Sequence, residues 1–314
     1  MRSPVCTTGR LLEAAQYVGH VTRPRRSCLS VPGSSERMLV KAKTLPADEI
    51  VIDLEDGVAP AHKDEAREAT VAAVSEGGFQ ARSIAVRING TDTPWFEDDV
   101  NELARRAGDA LGTLIVPKVE AAAALAPVER LLERSEPAGG RESPVGLQAL
   151  IETAAGLVHV NEIAAASSRL EALIVGYADL AASLGRPPGA RHDPDRWAFT
   201  LDAVLVAARA AGLQAIDGPH LQIDDIDGLS AAAARARELG YDGKWALHPT
   251  QIEPLNEAFS PTEEELSRAE AIVEALERAE GGAGAGVALL DGEMLDEASR
   301  KLALAVLARA PDPR

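Results

Sequence analysis

Residues 49–64 read "EIVIDLEDGVAPAHKD". An apolar run suited to a buried strand closes on Asp53, Glu55 and Asp56, just before the turn-forming Gly57. Similar runs recur along the chain: "CLSVPG", "SIAVRING", "GTLIVPKVE", "PVGLQALIET", "LEALIVGYAD", "LQAIDGP" and "KWALHP". Between them lie Ala-, Glu- and Arg-rich stretches such as "KDEAREATVAAVSEGG", "EAAAALAPVERLLER" and "SAAAARARELG", with apolar positions at helical spacing. Eight strand-helix units predict a (β/α)8 TIM barrel. A doubly wound sheet would carry a glycine fingerprint after its first strand, and "PGSSER" is not G-x-G-x-x-G.

Composition narrows the class of function. The 314 residues are 46% hydrophobic, enough for a substantial core. Lys and Arg number 32 against 49 Asp and Glu, a net charge of -17 that disfavours nucleic acid and anionic lipid as partners. Cys6 and Cys28 form neither a metal spacing nor a disulfide framework, and no stretch has the length and apolarity to span a bilayer, so the expectation is a cytoplasmic protein. The "GRLLEAAQYVGHVTRPRR" segment reads as a frayed first helix in an N-terminal arm, residues 1–24.

Beyond the eighth run, "SPTEEELSRAEAIVEALERAE" predicts a closing helix with Ser260 as its cap and Pro261 at its first position. The barrel domain is then 25–280. The glycine-rich stretch that follows reads as a linker, and the residues from Glu293 onward as another amphipathic helix. Periodicity alone leaves residues 281–314 either a packing arm or a lid.

In such a barrel the chemistry lies where the strands end. Collecting those positions gives Asp53, Glu55 and Asp56, then Arg87 and Asn89, Lys118 and Glu120, Glu152, Asp179, Asp217 and His248. Carboxylates converging on one mouth repel one another, and a proton or a cation relieves them. Glu152 and Asp179 end consecutive strands, and an all-oxygen set suits Mg2+ or Mn2+ better than zinc. Arg87 offers a planar fork for a carboxylate or a developing enolate oxygen, which the acids of the second strand could orient. Taken singly, each acid could instead cap a helix or pair with a base. His248, beside Pro249, reads as a residue ordering its loop. A glycosidase with Glu55 and Glu152 as its carboxylates is an alternative, but three Trp, three Tyr and four Phe are few for sugar platforms.

The motifs "RRSCLSVPGSSERMLVKA", "VIDLEDGVAPAHKDEAR", "VRING", "VPKVE", "LIETAAGL", "GYADLAASLG", "AARAAGLQAIDGP" and "DGKWALHPTQI" occur in order from about Arg25 onward. Together they resemble the citrate lyase beta-subunit-like family, with its malyl-CoA, methylmalyl-CoA and citramalyl-CoA lyases, in the HpcH/HpaI aldolase superfamily. The resemblance implies Glu152 and Asp179 as Mg2+ ligands, Arg87 on the substrate carbonyl and enolate, and Glu55 and Asp56 supporting the metal-bound water. It makes "DGEMLD" a lid that covers a neighbouring subunit's site, with Asp296 as acid/base and Asp291 serving the turn. Arg26, Arg37 and Lys41 fall where the family contacts coenzyme A, with Lys118 and Lys244 as weaker candidates. The implied reaction is Mg2+-dependent cleavage of a 3-hydroxyacyl-CoA into an acyl-CoA and a 2-oxo acid, glyoxylate or pyruvate, in a homotrimer or homohexamer. A citrate lyase beta subunit acting on a carrier-bound thioester, and a malyl-CoA thioesterase or malate synthase, are the alternatives. Ser30, where a bulky apolar residue is usual, and His220, where tyrosine is usual, bear on acyl specificity.

Overall fold

The computed structural model describes residues 23–187, 194–283 and 286–310. Most of the predicted N-terminal arm lies outside them. The eight predicted strands form: β1 Ser27–Pro32, β2 Glu49–Asp53, β3 Ser83–Arg87, β4 Thr113–Val116, β5 Gly146–Ile151, β6 Leu170–Val175, β7 Gln214–Asp217 and β8 Gly243–Ala246. Each pairs in parallel with the next, and β8 pairs with β1, closing the barrel.

Helices cover the strands because each connection must return the chain to the start of the sheet. They are α1 Glu36–Ala42, α2 Lys63–Glu76, α3 Phe96–Arg106, α4 Ala126–Gly139, α5 Ala154–Val158, α6 Val160–Ala164, α7 Tyr177–Ser183, α8 Ala198–Ala210, α9 Ile226–Leu239 and α10 Ile252–Ala258. Strand side chains alternate between two cores. On β2, Ile50 and Ile52 join the layer between sheet and helices, whereas Val51 joins Cys28, Ala85, Ile115, Leu150, Ile174, Ile216 and Trp245 inside the barrel. The same alternation turns Glu49 inward below Val51 and Asp53 inward above it, so the strand that opened the reading carries a charge at each end of an apolar middle.

Arg23–Phe259 form one compact unit, and the described residues from Ser260 onward belong to another. That second unit holds α11 Glu263–Ala283, a hairpin of β9 Ala288–Leu290 and β10 Glu293–Leu295, and α12 Glu297–Ala308. The predicted division at 280/281 therefore falls within α11. Its cap is Thr262 rather than Ser260: the Thr262 hydroxyl accepts from the Glu265 N–H at 3.2 Å, and Glu265 accepts from the Thr262 N–H at 2.7 Å. Residues 293–295, predicted helical, are a strand. Asp291 and Gly292 both adopt positive φ, 52° and 83°, the two-residue turn that matches strand twist. Leu295 then packs on Ala275 and Leu276, and Ala303 and Leu304 pack on Ala269 and Val273.

Candidate active site

Asp53 organises the mouth. Its carboxylate accepts from Arg87 Nε at 2.8 Å and Arg87 Nη2 at 2.6 Å, and from the N–H groups of Glu55 and Gly57, both at 2.8 Å. One side chain thereby fixes the arginine fork and folds the acidic loop. Gly57 has to be glycine, because a Cβ there would sit 2.4 Å from Asp53 Oδ2. Burial pushes the Asp53 carboxyl up, but Arg87 and the two N–H groups outweigh it and hold it below the usual range. Arg87 also pairs with Glu55 at 2.9 Å and lies 5.7 Å from the centre of the Trp245 ring, the indole of the barrel interior.

Lys63 supports the loop from behind. Its buried ammonium donates to the carbonyls of Leu54 and Glu55, both at 2.7 Å, and to Asn89 Oδ1 at 2.6 Å. Asn89 is held in turn by Asp99, which Arg67 contacts. Nothing in the spacing of "HKD" announces this role, because Lys63 reaches loops that follow two different strands.

Across the mouth, Glu152 is buried and its Oε1 accepts the Lys118 N–H at 2.8 Å. Its Oε2 lies over Gly176, where a Cβ would approach to 2.6 Å. Burial pushes the Glu152 carboxyl up to about 8; the Lys118 N–H opposes the rise, and Asp179 and Glu55 add to it. Asp179, in the first turn of α7, is thus electrostatically coupled to Glu152. Lys118 has φ +50°, a left-handed conformation that costs a non-glycine residue about 1 kcal/mol. Its ammonium bonds Glu55 and reaches Asp56 at 3.5 Å. Asp53, Glu55, Asp56, Glu152 and Asp179 outnumber Arg87, Lys118 and Lys63, so the mouth has an excess of acidic groups that a hard cation would relieve. Among the described residues no group of three His, Cys, Asp or Glu could hold a metal by itself. Glu152 and Asp179 fit one as a two-carboxylate site, completed by oxygens of water or substrate.

Arg37 and Lys41 line a groove of about 350 Å3 with Leu29, Met38, Leu45 and Pro249; Ser30 and His248 also border it. Arg26 is elsewhere. It precedes β1, at the opposite end of the barrel, and grips Asp48 through Nε at 2.7 Å and Nη2 at 2.8 Å. Arg25 is buried against Glu49 and Glu171, Lys43 pairs with Glu76, and Lys244 is buried on Asp217 at 2.5 Å, a carboxylate that also accepts from the Tyr177 hydroxyl and the Gly218 N–H. His248 accepts from the Thr250 N–H and orders its own loop. Glu120 is exposed, and its carbonyl meets His159 at 2.9 Å. His220 contacts Asp225 at 3.1 Å. In the second unit Asp296 caps α12, accepting from the N–H groups of Ala298 and Ser299 at 2.9 and 3.1 Å, while Asp291 bonds Arg268 at 2.6 Å.

A closed parallel barrel whose strand ends bring carboxylates together around a clamped arginine defines a TIM barrel with an acid-rich site where barrel enzymes carry their chemistry. The chain belongs to the HpcH/HpaI aldolase/citrate lyase family, which it matches over residues 26–249. It is 38% identical over 303 residues to an L-malyl-CoA/beta-methylmalyl-CoA lyase of Cereibacter sphaeroides, covering 92% of this chain and 95% of that one. It is 39% identical over 295 residues to a (3S)-malyl-CoA thioesterase of the same species, covering 93% and 97%. Among solved structures, the CitE protein of Mycobacterium tuberculosis, in complex with magnesium, acetoacetate and coenzyme A, superposes with a TM-score of 0.72 at 31% identity, covering 92% and 98%. A citrate lyase from Burkholderia xenovorans gives 0.80 at 26% identity, covering 91% and 93%.

Proposed function

We propose that the protein is a Mg2+-dependent carbon–carbon lyase. It would cleave, or in reverse form, a 3-hydroxyacyl-CoA such as malyl-CoA, methylmalyl-CoA or citramalyl-CoA, giving an acyl-CoA and glyoxylate or pyruvate. The observation that carries this reading is Glu152, a carboxyl buried beside Asp179 and raised to about 8, which a divalent cation would stabilise as the anion. Glu152 and Asp179 would hold the ion. Once bound there, it would supply Lewis-acid polarisation of the hydroxyl oxygen that becomes the keto group.

The chain's own groups account for the rest. Arg87, locked by Asp53, presents fixed positive charge to the oxygen of the departing enolate thioester, so little reorganisation is needed as the C–C bond breaks. Glu55 steadies Arg87 from its other side, and Asp56 reaches out toward water. Asp296, brought to the mouth of a neighbouring copy by the C-terminal segment, would protonate the acyl α-carbon in cleavage and remove that proton in condensation, while the hydroxyl proton lost as the keto group forms would pass to water at the mouth. Arg37 and Lys41, at the apolar groove, suit a phosphate-bearing coenzyme A with its pantetheine arm. Arg26, committed to Asp48 at the far end, is left out of the coenzyme A assignment.

The thioesterase relative supports a second outcome, in which water hydrolyses the thioester and free hydroxy acid and CoA leave together. Mass spectrometry of the protein with Mg2+, acetyl- or propionyl-CoA, and glyoxylate or pyruvate separates the readings. A hydroxyacyl-CoA adduct that vanishes with EDTA identifies the lyase, whereas malyl-CoA supplied alone and converted to malate and CoA, with no acetyl-CoA or glyoxylate released, identifies the thioesterase. No product from any pair and none from malyl-CoA, with the protein folded, overturns both and favours a carrier-bound substrate.

A further inference from the structure

Lys118 is the one residue in the described mouth that touches both carboxylate groups from opposite sides. Its main chain serves Glu152, and its ammonium serves Glu55 and Asp56. Both contacts depend on the left-handed turn at φ +50°, which aims the N–H at the end of β5 while the side chain crosses toward the loop after β2. The ammonium pairs with Glu55 and lies 3.5 Å from Asp56. It is a cation placed among the acids that a divalent ion would also use.

We propose that Lys118 is a positioning residue that sets metal affinity through two separable parts: its N–H orients Glu152, and its ammonium competes electrostatically with the divalent ion for the acidic mouth. The inference rests on the metal reading above. With the ion absent, the ammonium screens Glu55 and Asp56 and keeps the cluster from mutual repulsion. With the ion bound, like charge pushes the ammonium away. Its stem is flexible and its side chain 42% exposed, so it can turn from Glu55 toward an anionic group entering the mouth. The consequence runs against the usual result of damaging a metal site. Removing the ammonium should strengthen metal binding while weakening substrate binding.

The test is titration of the metal-free full-length protein with Mn2+ alone, followed by electron paramagnetic resonance of the free ion. Lys118→Met removes the charge and keeps the bulk. Lys118→Gly also removes the charge, retains the N–H and suits the positive φ, so it guards against a folding artefact. Both should bind Mn2+ about tenfold more tightly than wild type, the scale expected for one unit of charge near a divalent ion in water-like surroundings. Lys118→Arg should match wild type within about twofold, because it keeps the charge. Glu152→Gln should abolish the binding and so marks the site. Substrate KM should rise in Lys118→Met and Lys118→Gly and stay near wild type in Lys118→Arg. If wild type binds Mn2+ and Glu152→Gln loses it, yet Lys118→Met binds equally or more weakly, the competing role of Lys118 is overturned and the metal reading stands. If wild type shows no binding that depends on Glu152, both fall.

Discussion

Asp53 shows how much one buried carboxylate can determine. It sits where the inward alternation of β2 reaches the mouth, and it fixes both Arg87 and the loop bearing Glu55. Because its folded-state pKa lies below the ordinary carboxylate value, its stabilisation is complete above the unfolded pKa of about 4 and is lost as pH falls through the folded value. Melting temperature followed from pH 7 down to 3 should therefore fall below about pH 4, and less steeply in Asp53→Asn. An identical acid limb in both proteins would remove Asp53 from the explanation. Asp296 calls for a pair of substitutions. Asn is as good a helix cap as Asp, so Asp296→Asn should keep α12 and lose about 10²–10⁴-fold in turnover, the span of a general acid/base. Asp296→Ala should lose the same activity and also fray the helix start, visible as faster amide exchange at Ala298 and Ser299. Full activity in Asp296→Asn would leave Asp296 only a cap. The sequence pointed to Asp53 and Arg87 because a period-two strand has one inward position at its mouth, and to Glu55, Glu152 and Asp179 because they follow the ends of apolar runs within a few residues. Lys63 and the backbone of Lys118 were hidden, since one acts across two loops and the other through a dihedral angle that no side-chain pattern encodes.

At the scale of elements, the eight strands were legible because parallel strands buried on both faces read as unbroken apolar runs. The C-terminal segment was harder. Its glycines suggested a linker, but Gly281 and Gly282 lie inside α11, and the Asp-Gly pair between "ALL" and "EML" makes a hairpin too short to show alternation. On that hairpin Leu289 and Met294 are directly paired, both largely exposed, while Leu290 and Leu295 face α11. The cut that tests the C-terminal segment therefore belongs after Phe259, because ending the chain at Gly281 would strip α12 from the apolar side of α11. A protein of residues 1–259 should fold, with Trp95, Trp197 and Trp245, all of them retained, reporting native fluorescence. It should bind Mn2+ as the full chain does and not turn over. Turnover at the full rate would remove Asp296 and its segment from the reaction.

Over the whole molecule, charge is divided along the barrel axis. At the mouth, acids exceed bases and the imbalance is available for chemistry. At the opposite end, buried charges are matched: Arg25 donates to Glu49 at 2.9 Å, to Glu171 at 2.6 Å and to Gln214, while Gln148 donates to Glu49 and to Thr113. Such a network can be worth little in net stability and yet be costly to break, because removing one partner strands the other in low dielectric. Arg25→Met should therefore cost about 3–5 kcal/mol, as it leaves Glu49 buried without its cation. At roughly 2–4 °C per kcal/mol for a chain of this size, the melting temperature should drop by about 10 °C. Adding Glu49→Gln should recover part of that loss by removing the stranded charge, although it restores no contact of Arg25. Mn2+ affinity of the folded protein should be unchanged in both, since the apolar layer of Val51, Ala85, Ile115 and Leu150 separates the two ends. A melting temperature that did not move, or a metal affinity that fell with Arg25→Met, would mean the two ends are not independent. The first outcome would leave the fold resting on its apolar layers alone, and the second would make the buried arginine part of the active site.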